Sequence, residues 1–299
     1  MTLKHLPMNL TKLTSLTAQF INLQLLPCGE SQGVLGAAVT PPLKRLRLKE
    51  CFFKDDTPQG LTAALALLPG LEYLSITGYA NFPTVQEMAI RGNVLQQLPQ
   101  LTYLELQHVW LVSALEGSDG DVSDRNSDDG DSEGDDRYNL GLQHITALTR
   151  LADLQLLLPD CGCSILASIL SSAQPLTCLQ LQTASWSGFC FEPGVLAGKT
   201  LLQHLELRCC YIAGHAPGVV QLLSELQQLQ QLTRLVLRRC WDESDAPAAA
   251  YSALTASSKL QHLDISSCSF PTGVWQHLFP VGRKPPHLHQ YLASGTTPS

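Results

Sequence analysis

A six-residue phrase, Leu-x-x-Leu-x-Leu, recurs from one end of this 299-residue chain to the other. It reads LTSLTA from Leu13, LKRLRL from Leu43, LEYLSI from Leu71, LTYLEL from Leu101 and LADLQL from Leu151. It continues as LTCLQL from Leu176, LQHLEL from Leu202, LTRLVL from Leu232 and LQHLDI from Leu260. The nine starts are separated by 30, 28, 30, 50, 25, 26, 30 and 28 residues. A fixed period of this size marks an array of small units, none of which can bury its apolar side except against its neighbours.

Alternation within the phrase predicts a short strand, and the stretches between phrases read as helices. Thr57 and Pro58 suit the start of a helix over residues 60–69, and Pro83 precedes a helical pattern over 84–99. Asp245 and Pro247 stand before AAAYSALTASS, and VVQLLSELQQLQQL from Val219 has its leucines at helical spacing. The last is too short for a coiled coil and falls in register with the other helices.

The one irregular interval, 50 residues, contains EGSDGDVSDRNSDDGDSEGDD, Glu116 to Asp136, with ten carboxylates and one arginine. A run of this kind repels itself and is expected to be a disordered insertion, here assigned to residues 116–137. Its root-mean-square reach is roughly 25 Å, so besides a passive loop it is a candidate to fold back over basic parts of the chain. Ser118 and Ser132, each followed three residues on by Asp121 and Asp135, fit the pattern of acidophilic (casein kinase 2 type) phosphorylation sites.

The formal net charge is −7, but the acidic run alone contributes −9, leaving 16 acids against 18 bases elsewhere. That near-neutral remainder argues against a nucleic-acid binder, since Trp and Tyr are not interleaved with Lys and Arg. No stretch approaches the roughly 18 uninterrupted apolar residues of a membrane span, and no secretory signal is visible. The ten cysteines are therefore expected to remain reduced, in the cytosol or nucleus.

The phrase, its period and its cysteines together resemble the leucine-rich repeat superfamily, over about Leu10 to Phe279. The unit length is similar to that of the ribonuclease-inhibitor-like class. Leu-x-x-Leu-x-Leu-x-x-Cys resembles the cysteine-containing repeats associated with F-box proteins. The resemblance implies an α/β solenoid of about nine repeats, with a concave parallel sheet and convex helices, spanning residues 1–279 and followed by a flexible tail over 280–299. It also implies that Cys51, Cys210, Cys240 and Cys268 turn inward, where a small apolar side chain with a weak donor fits.

The same resemblance implies that residues between the leucines face outward from the concave sheet, as a binding surface for a protein partner. Rung two would present Arg45, Arg47 and Lys49; rungs three and four Tyr73, Tyr103 and Glu105. Rung seven would present His204, Glu206 and Arg208; rung eight Arg234 and Arg238. Tyr and Arg are the residues that most often anchor interfaces.

Other motifs fail on spacing. GVLAGKT, Gly194 to Thr200, is one residue short of a phosphate loop and leads into a strand rather than a helix. Asp124, Asn126 and Asp128 alternate as in a calcium loop, but the glycine arrives one place late, at Gly130. CGC at Cys161 and CC at Cys209 lack a second pair at zinc spacing, and His204 and His262 occupy one repeat slot. No cofactor, metal or catalytic set is expected.

The expectation is a monomeric, non-enzymatic interaction scaffold in the cytoplasm, binding protein and neither nucleic acid nor membrane. Alternatives are the substrate-recognition adaptor of an SCF-type ubiquitin ligase, whose F-box is not visible here, or a cytoskeletal component of the ciliary axoneme. Met1 begins almost inside a repeat with no polar cap, so further chain is expected before it.

Overall fold

Each phrase becomes a strand, and successive strands lie side by side. The computed structural model describes residues 12–19, 22–23, 42–53, 58–78, 88–112, 136–158, 169–170, 172, 174–183, 194–209, 216–240, 246–279, 288 and 290–292. The strands in chain order are β1 Ser15–Gln19, β2 Asn22–Leu23, β3 Arg45–Lys49, β4 Phe52–Phe53, β5 Tyr73–Thr77, β6 Met88–Arg91 and β7 Tyr103–Gln107. They continue as β8 Val109–Val112, β9 Asp153–Leu158, β10 Cys178–Thr183, β11 His204–Arg208, β12 Arg234–Arg238, β13 His262–Asp264 and β14 Gln290–Leu292.

Ten of these form one parallel sheet in the order β1-β3-β5-β7-β9-β10-β11-β12-β13-β14. The register keeps equivalent residues opposite one another: Leu46, Leu74, Leu104, Leu154, Leu179, Leu205, Leu235 and Leu263 make one row. In the eight phrases from Leu43 to Ile265 all three apolar positions are buried, none more than 6% exposed. Burying a leucine contributes about 1.5–3 kcal/mol, so three per repeat hold each strand to its neighbours.

The chain leaves the sheet by a repeated device. Eight residues into the phrase, Glu50, His108, Cys209, Arg239 and Ser267 all adopt positive φ, between 50 and 60°. Such a conformation costs a non-glycine residue about 1–2 kcal/mol, yet it turns the chain under the sheet while the backbone N–H still extends the ladder. Cys209 N–H, for example, donates to the Arg238 carbonyl at 2.8 Å. The next residue then points inward. Cys51, Cys240 and Cys268 are buried, and their thiols donate to the carbonyls of Ala18, Leu207 and Leu237 at 3.5, 3.3 and 3.2 Å. Each acceptor ends the apolar triplet of the preceding repeat. Cys210 lies outside the described residues.

On the opposite side run α1 Pro58–Ala66, η1 Gly92–Gln97, η2 Asp136–Ala147, α2 Ala216–Leu226, η3 Ala248–Thr255 and α3 Val274–Leu278, where η denotes a 3₁₀ helix. The helix expected over 84–99 is not formed as such. Residues Met88–Arg91 are instead a strand pairing in parallel with β8, and only Gly92–Gln97 turn helically. The physical reason is width: sheet strands are about 4.8 Å apart, whereas an α-helix is about 10 Å across. A paired strand or a tighter 3₁₀ turn lets convex elements of adjacent repeats approach closely.

That approach requires glycine at one place. A β-carbon on Gly92 would stand 2.2 Å from the Gly141 carbonyl oxygen, and one on Gly141 would stand 2.7 Å from the Leu111 carbonyl.

The 50-residue interval leaves the sheet undisturbed. β7 pairs directly with β9, Tyr103 opposite Asp153, and the described elements on either side of the acidic run are β8 and η2. Residues 113–135, which hold nearly all of the acidic run with Ser118 and Ser132, lie outside the described residues. Asp136 and Arg137, at its carboxyl end, open η2.

The tail expected over 280–299 contains a further rung. Gln290–Leu292 pair with His262–Asp264 as the tenth strand, and Leu288 is buried. Leu288 stands 28 residues after Leu260, on the period, but Tyr291 and Ala293 replace the second and third leucines of the phrase.

Gly92→Ala is expected to lower stability by about 2 kcal/mol, because its β-carbon meets backbone and cannot be relieved by a side-chain rotation. Gly70→Ala, whose β-carbon would meet nothing within 4 Å, is expected to be neutral or slightly stabilising. Urea unfolding midpoints of the two variants check this.

Candidate protein-binding face

Because the first, fourth and sixth positions of each phrase point inward, the third, fifth and seventh are left on the outer side. They form three rows across the sheet. The third-position row runs Arg45, Tyr73, Tyr103, Asp153, Cys178, His204, Arg234, His262. The seventh-position row runs Lys49, Thr77, Gln107, Leu157, Gln182, Arg208, Arg238.

The middle row differs from expectation over much of its length. Ser75, Glu105, Glu206, Val236 and Asp264 are buried, the two glutamates at 7% exposure and the other three at 0%. Glu105 and Glu206, expected to be open on the face, are corrected to a layer beneath it. Rows on one strand face are only about 7 Å apart, so large side chains at positions three and seven fold over position five.

Beneath that cover each carboxylate is met by donors. Glu105 accepts from Ser75 Oγ at 2.6 Å, Tyr103 Oη at 3.1 Å and Gln107 Nε2 at 2.7 Å. Glu206 is flanked by His204 Nε2 at 3.3 Å and by an ion pair with Arg208. Burial would raise the pKa of Glu206, but His204 and Arg208 outweigh it and hold the group below its ordinary value. Asp264 pairs with Arg238 and accepts from Ser266 Oγ at 2.7 Å and the Ser266 N–H at 3.1 Å.

These pairings divide the two basic patches read in the sequence. Arg208 and Arg238 spend their charge on Glu206 and Asp264 within the face. At the amino-terminal edge Arg45 and Arg47 are exposed and Lys49 is half-buried, and among the described residues no carboxylate pairs with any of the three. The nearby Glu72 is held by Lys44 at 2.8 Å.

Next to these cations Tyr73 and Tyr103 stack, ring centroids 4.1 Å apart and planes 12° from parallel. Register makes them neighbours, since both stand at position three of adjacent rungs. Burial and the Glu105 charge push the Tyr103 pKa upward, keeping it a hydrogen-bond donor. Beyond the tyrosines lies a shallow depression lined by Gln107, Gln155, Leu157, Gln180, Gln182 and Glu206.

One constellation on this face has the outline of a nucleophilic site. Cys178 Sγ stands 3.5 Å from His204 Nδ1, whose Nε2 is 3.3 Å from Glu206 Oε2. Its electrostatics oppose that chemistry. Burial, and then the neighbouring Asp153 carboxylate, push the Cys178 thiol up to about 12, so it is protonated at neutral pH, whereas a thiol nucleophile acts as thiolate.

The short phosphate-loop lookalike is also explained. Gly194 and Gly198 adopt φ of 91 and 80°, and the loop does cradle an anion. That anion is the chain's own Glu225, from α2, accepting from the N–H groups of Gly194 at 2.5 Å and Leu196 at 2.8 Å. Lys199 is turned away into a bond with the Ser172 carbonyl. The cysteines of CGC lie outside the described residues.

A parallel sheet of ten in-register strands, with turns and helices behind it, makes an α/β solenoid of leucine-rich units. Solved structures of similar fold include a leucine-rich-repeat protein of Leptospira interrogans, at 17% identity and TM-score 0.48, covering 83% of this chain and 56% of that one. They also include the plant peptide hormone receptor RGFR1 in complex with RGF2, at 16% identity and TM-score 0.45, covering 86% and 35%. Internalin C2 of Listeria monocytogenes is similar at 14% identity and TM-score 0.33, covering 85% and 72%. This chain thus spans about half of the first protein and about a third of the second. Neither protein-family models nor curated protein sequences match it.

Asp264 supplies a pH test of the internal pairing. Burial would raise its pKa, but the bonds from Arg238 and Ser266 prevail and hold it below the ordinary 3.8. A depressed carboxyl pKa stabilises the fold above that ordinary value and ceases to do so as pH falls through the lowered one. Asp264→Asn is expected to cost about 2 kcal/mol at pH 7. The deficit relative to the unsubstituted chain should shrink only below the ordinary aspartate range, as read from urea unfolding at pH 7, 5 and 3.

Proposed function

We propose that this chain is a protein-interaction scaffold that holds a partner on the outer face of its ten-stranded sheet, chiefly over the amino-terminal half. The observation that carries this reading is the contrast between the two halves. The carboxyl half neutralises Arg208 and Arg238 internally, whereas Arg45, Arg47 and Lys49, beside the Tyr73–Tyr103 stack, form no ion pair among the described residues. Stacked tyrosines present large contact area at low conformational cost, and arginines add directional donors, the combination that dominates interface energetics.

The finer assignment is that Arg45, Arg47, Lys49, Tyr73 and Tyr103 make direct contact with the partner. Glu105, Glu206, Arg208 and Arg238 shape the floor from within, with His204 and Arg234 at the far margin. Binding is non-covalent and needs no cofactor.

Replacing Arg45, Arg47, Tyr73 and Tyr103 together by alanine should remove most proteins captured by the chain from its native lysate. Exposed convex changes at Gln96 and Gln227 should leave the captured set intact. Quantitative mass spectrometry of the two captures reads the difference, and an unchanged set after the concave change would reject the face.

A further inference from the structure

The chemistry of the amino-terminal half is specific enough to describe what lies on it, given the scaffold reading above. Three cations stand on one strand, β3, at alternate positions 45, 47 and 49. Along a strand these are about 7 Å apart, so one rung gathers three positive charges to which the clustered carboxylates at one end of a segment crossing the rungs can turn. Arg208 and Arg238 close ion pairs within the face, whereas the three cations of this rung have no ion pair among the described residues and are the densest such group on the face. The adjoining rungs present the ring faces of Tyr73 and Tyr103, which suit an apolar side chain. Rungs four to six then offer amides at Gln107, Gln155, Gln180 and Gln182, able both to donate and to accept as a peptide backbone requires.

We propose that the face binds an extended segment of a partner protein that carries a cluster of Asp and Glu at one end, seated on Arg45, Arg47 and Lys49, followed by an apolar residue on the tyrosine pair and a backbone lying across the glutamines. From rung two to rung six is four strand spacings, roughly 19 Å, the reach of about six extended residues. The recognition element is therefore short, with carboxylates at one end only.

The charge at this end is what distinguishes such a partner from others. Carboxylates bind here without displacing an internal ion pair, because among the described residues none is formed by these three cations and the nearby Glu72 is paired with Lys44. At rungs seven to nine the same segment would have to compete with Glu206 for Arg208 and with Asp264 for Arg238, and so would gain little.

The test uses the full chain and fluorescein-labelled decapeptides, read by anisotropy in 50 mM and 300 mM salt. One probe carries Glu-Asp-Glu followed by Pro-Leu and a Ser-Gly tail, made in both chain directions. Its counterparts carry Gln-Asn-Gln or Lys-Lys-Lys in place of the acids, and an eight-nucleotide RNA serves as an alternative anion. The acidic probe in one direction should bind roughly tenfold or more tightly than its amide counterpart at low salt, with the preference reduced at high salt. R45E/R47E should reverse the order, favouring the lysine probe. Both positions are exposed and form no ion pair among the described residues, so the variant keeps its fold, and circular dichroism checks that.

Equal binding of acidic and amide probes, or tighter binding of RNA, would overturn the proposal. So would self-association of the chain that R45E/R47E abolishes, which would assign the rung to a second copy. Gln182→Trp, a bulky change at rung six, separates this failure from that of the scaffold reading. If lysate capture is lost with Gln182→Trp but survives R45E/R47E, the scaffold stands and the acidic partner is rejected. If capture survives both, both are rejected.

Discussion

The structure depends on one packing constraint: each repeat can hide its three apolar strand residues only by lying in register against the next repeat. Leu74, for instance, sits opposite Leu46 on one side and Leu104 on the other, and all three are buried. A slip of one residue would send every leucine of that strand to the outer face, so the register is strongly specified. Everything on the outer face follows from this. Rows of third, fifth and seventh residues are brought within a strand spacing of their equivalents, and their chemistry is decided by what the neighbouring repeat carries in the same slot.

Two consequences of that juxtaposition differ in how visible they are in the sequence. Stacking of Tyr73 on Tyr103 was legible, because both occupy position three of consecutive phrases. The nine strands were legible for the same reason, from period alone, and β7 pairs with β9 across the 50-residue interval. Burial of the middle row was not, since alternation distinguishes inside from outside but not first layer from second. It takes the size of Tyr103, Arg208 and Arg238 at the flanking positions to show that position five is overlaid. Acids at position five beside arginines at position seven, as in Glu206 with Arg208, were the available signal. The tenth strand was missed because Tyr291 and Ala293 break the leucine pattern, although Leu288 keeps the period. The convex strand Met88–Arg91 has no signature of its own; its residues are compatible with a helix, and pairing with Val109–Val112 decides against it.

Register also generates arrangements that imitate chemistry. Cys178 and His204 face each other because both are third residues of adjacent phrases, and Glu206 lies near His204 because it is two residues along the same strand. Contacts of that origin arise in any repeat array whose slots happen to hold these residue types. What separates them from a nucleophilic site is charge: Asp153, also a third-position residue, faces Cys178 from the other side and favours the neutral thiol. The cradle at Gly194–Lys199 illustrates the same point for anions. Backbone N–H groups there do bind a carboxylate, but it comes from Glu225 of the following repeat and closes the gap between α2 and the preceding turn.

Position five therefore acts as the slot that sets the polarity of the whole face. Where it holds an acid, as at Glu206 and Asp264, the adjacent arginines are drawn inward and their charge is consumed in holding the sheet's outer surface together. Where it holds Gln155 or Gln180, the middle row is neutral and capable of hydrogen bonding. At rung two it holds Arg47, and a third cation replaces the acid that would have neutralised its neighbours. Three like charges on one five-residue strand repel one another by up to about 1 kcal/mol per pair at these separations in a partly aqueous setting, and none of the three closes an ion pair among the described residues.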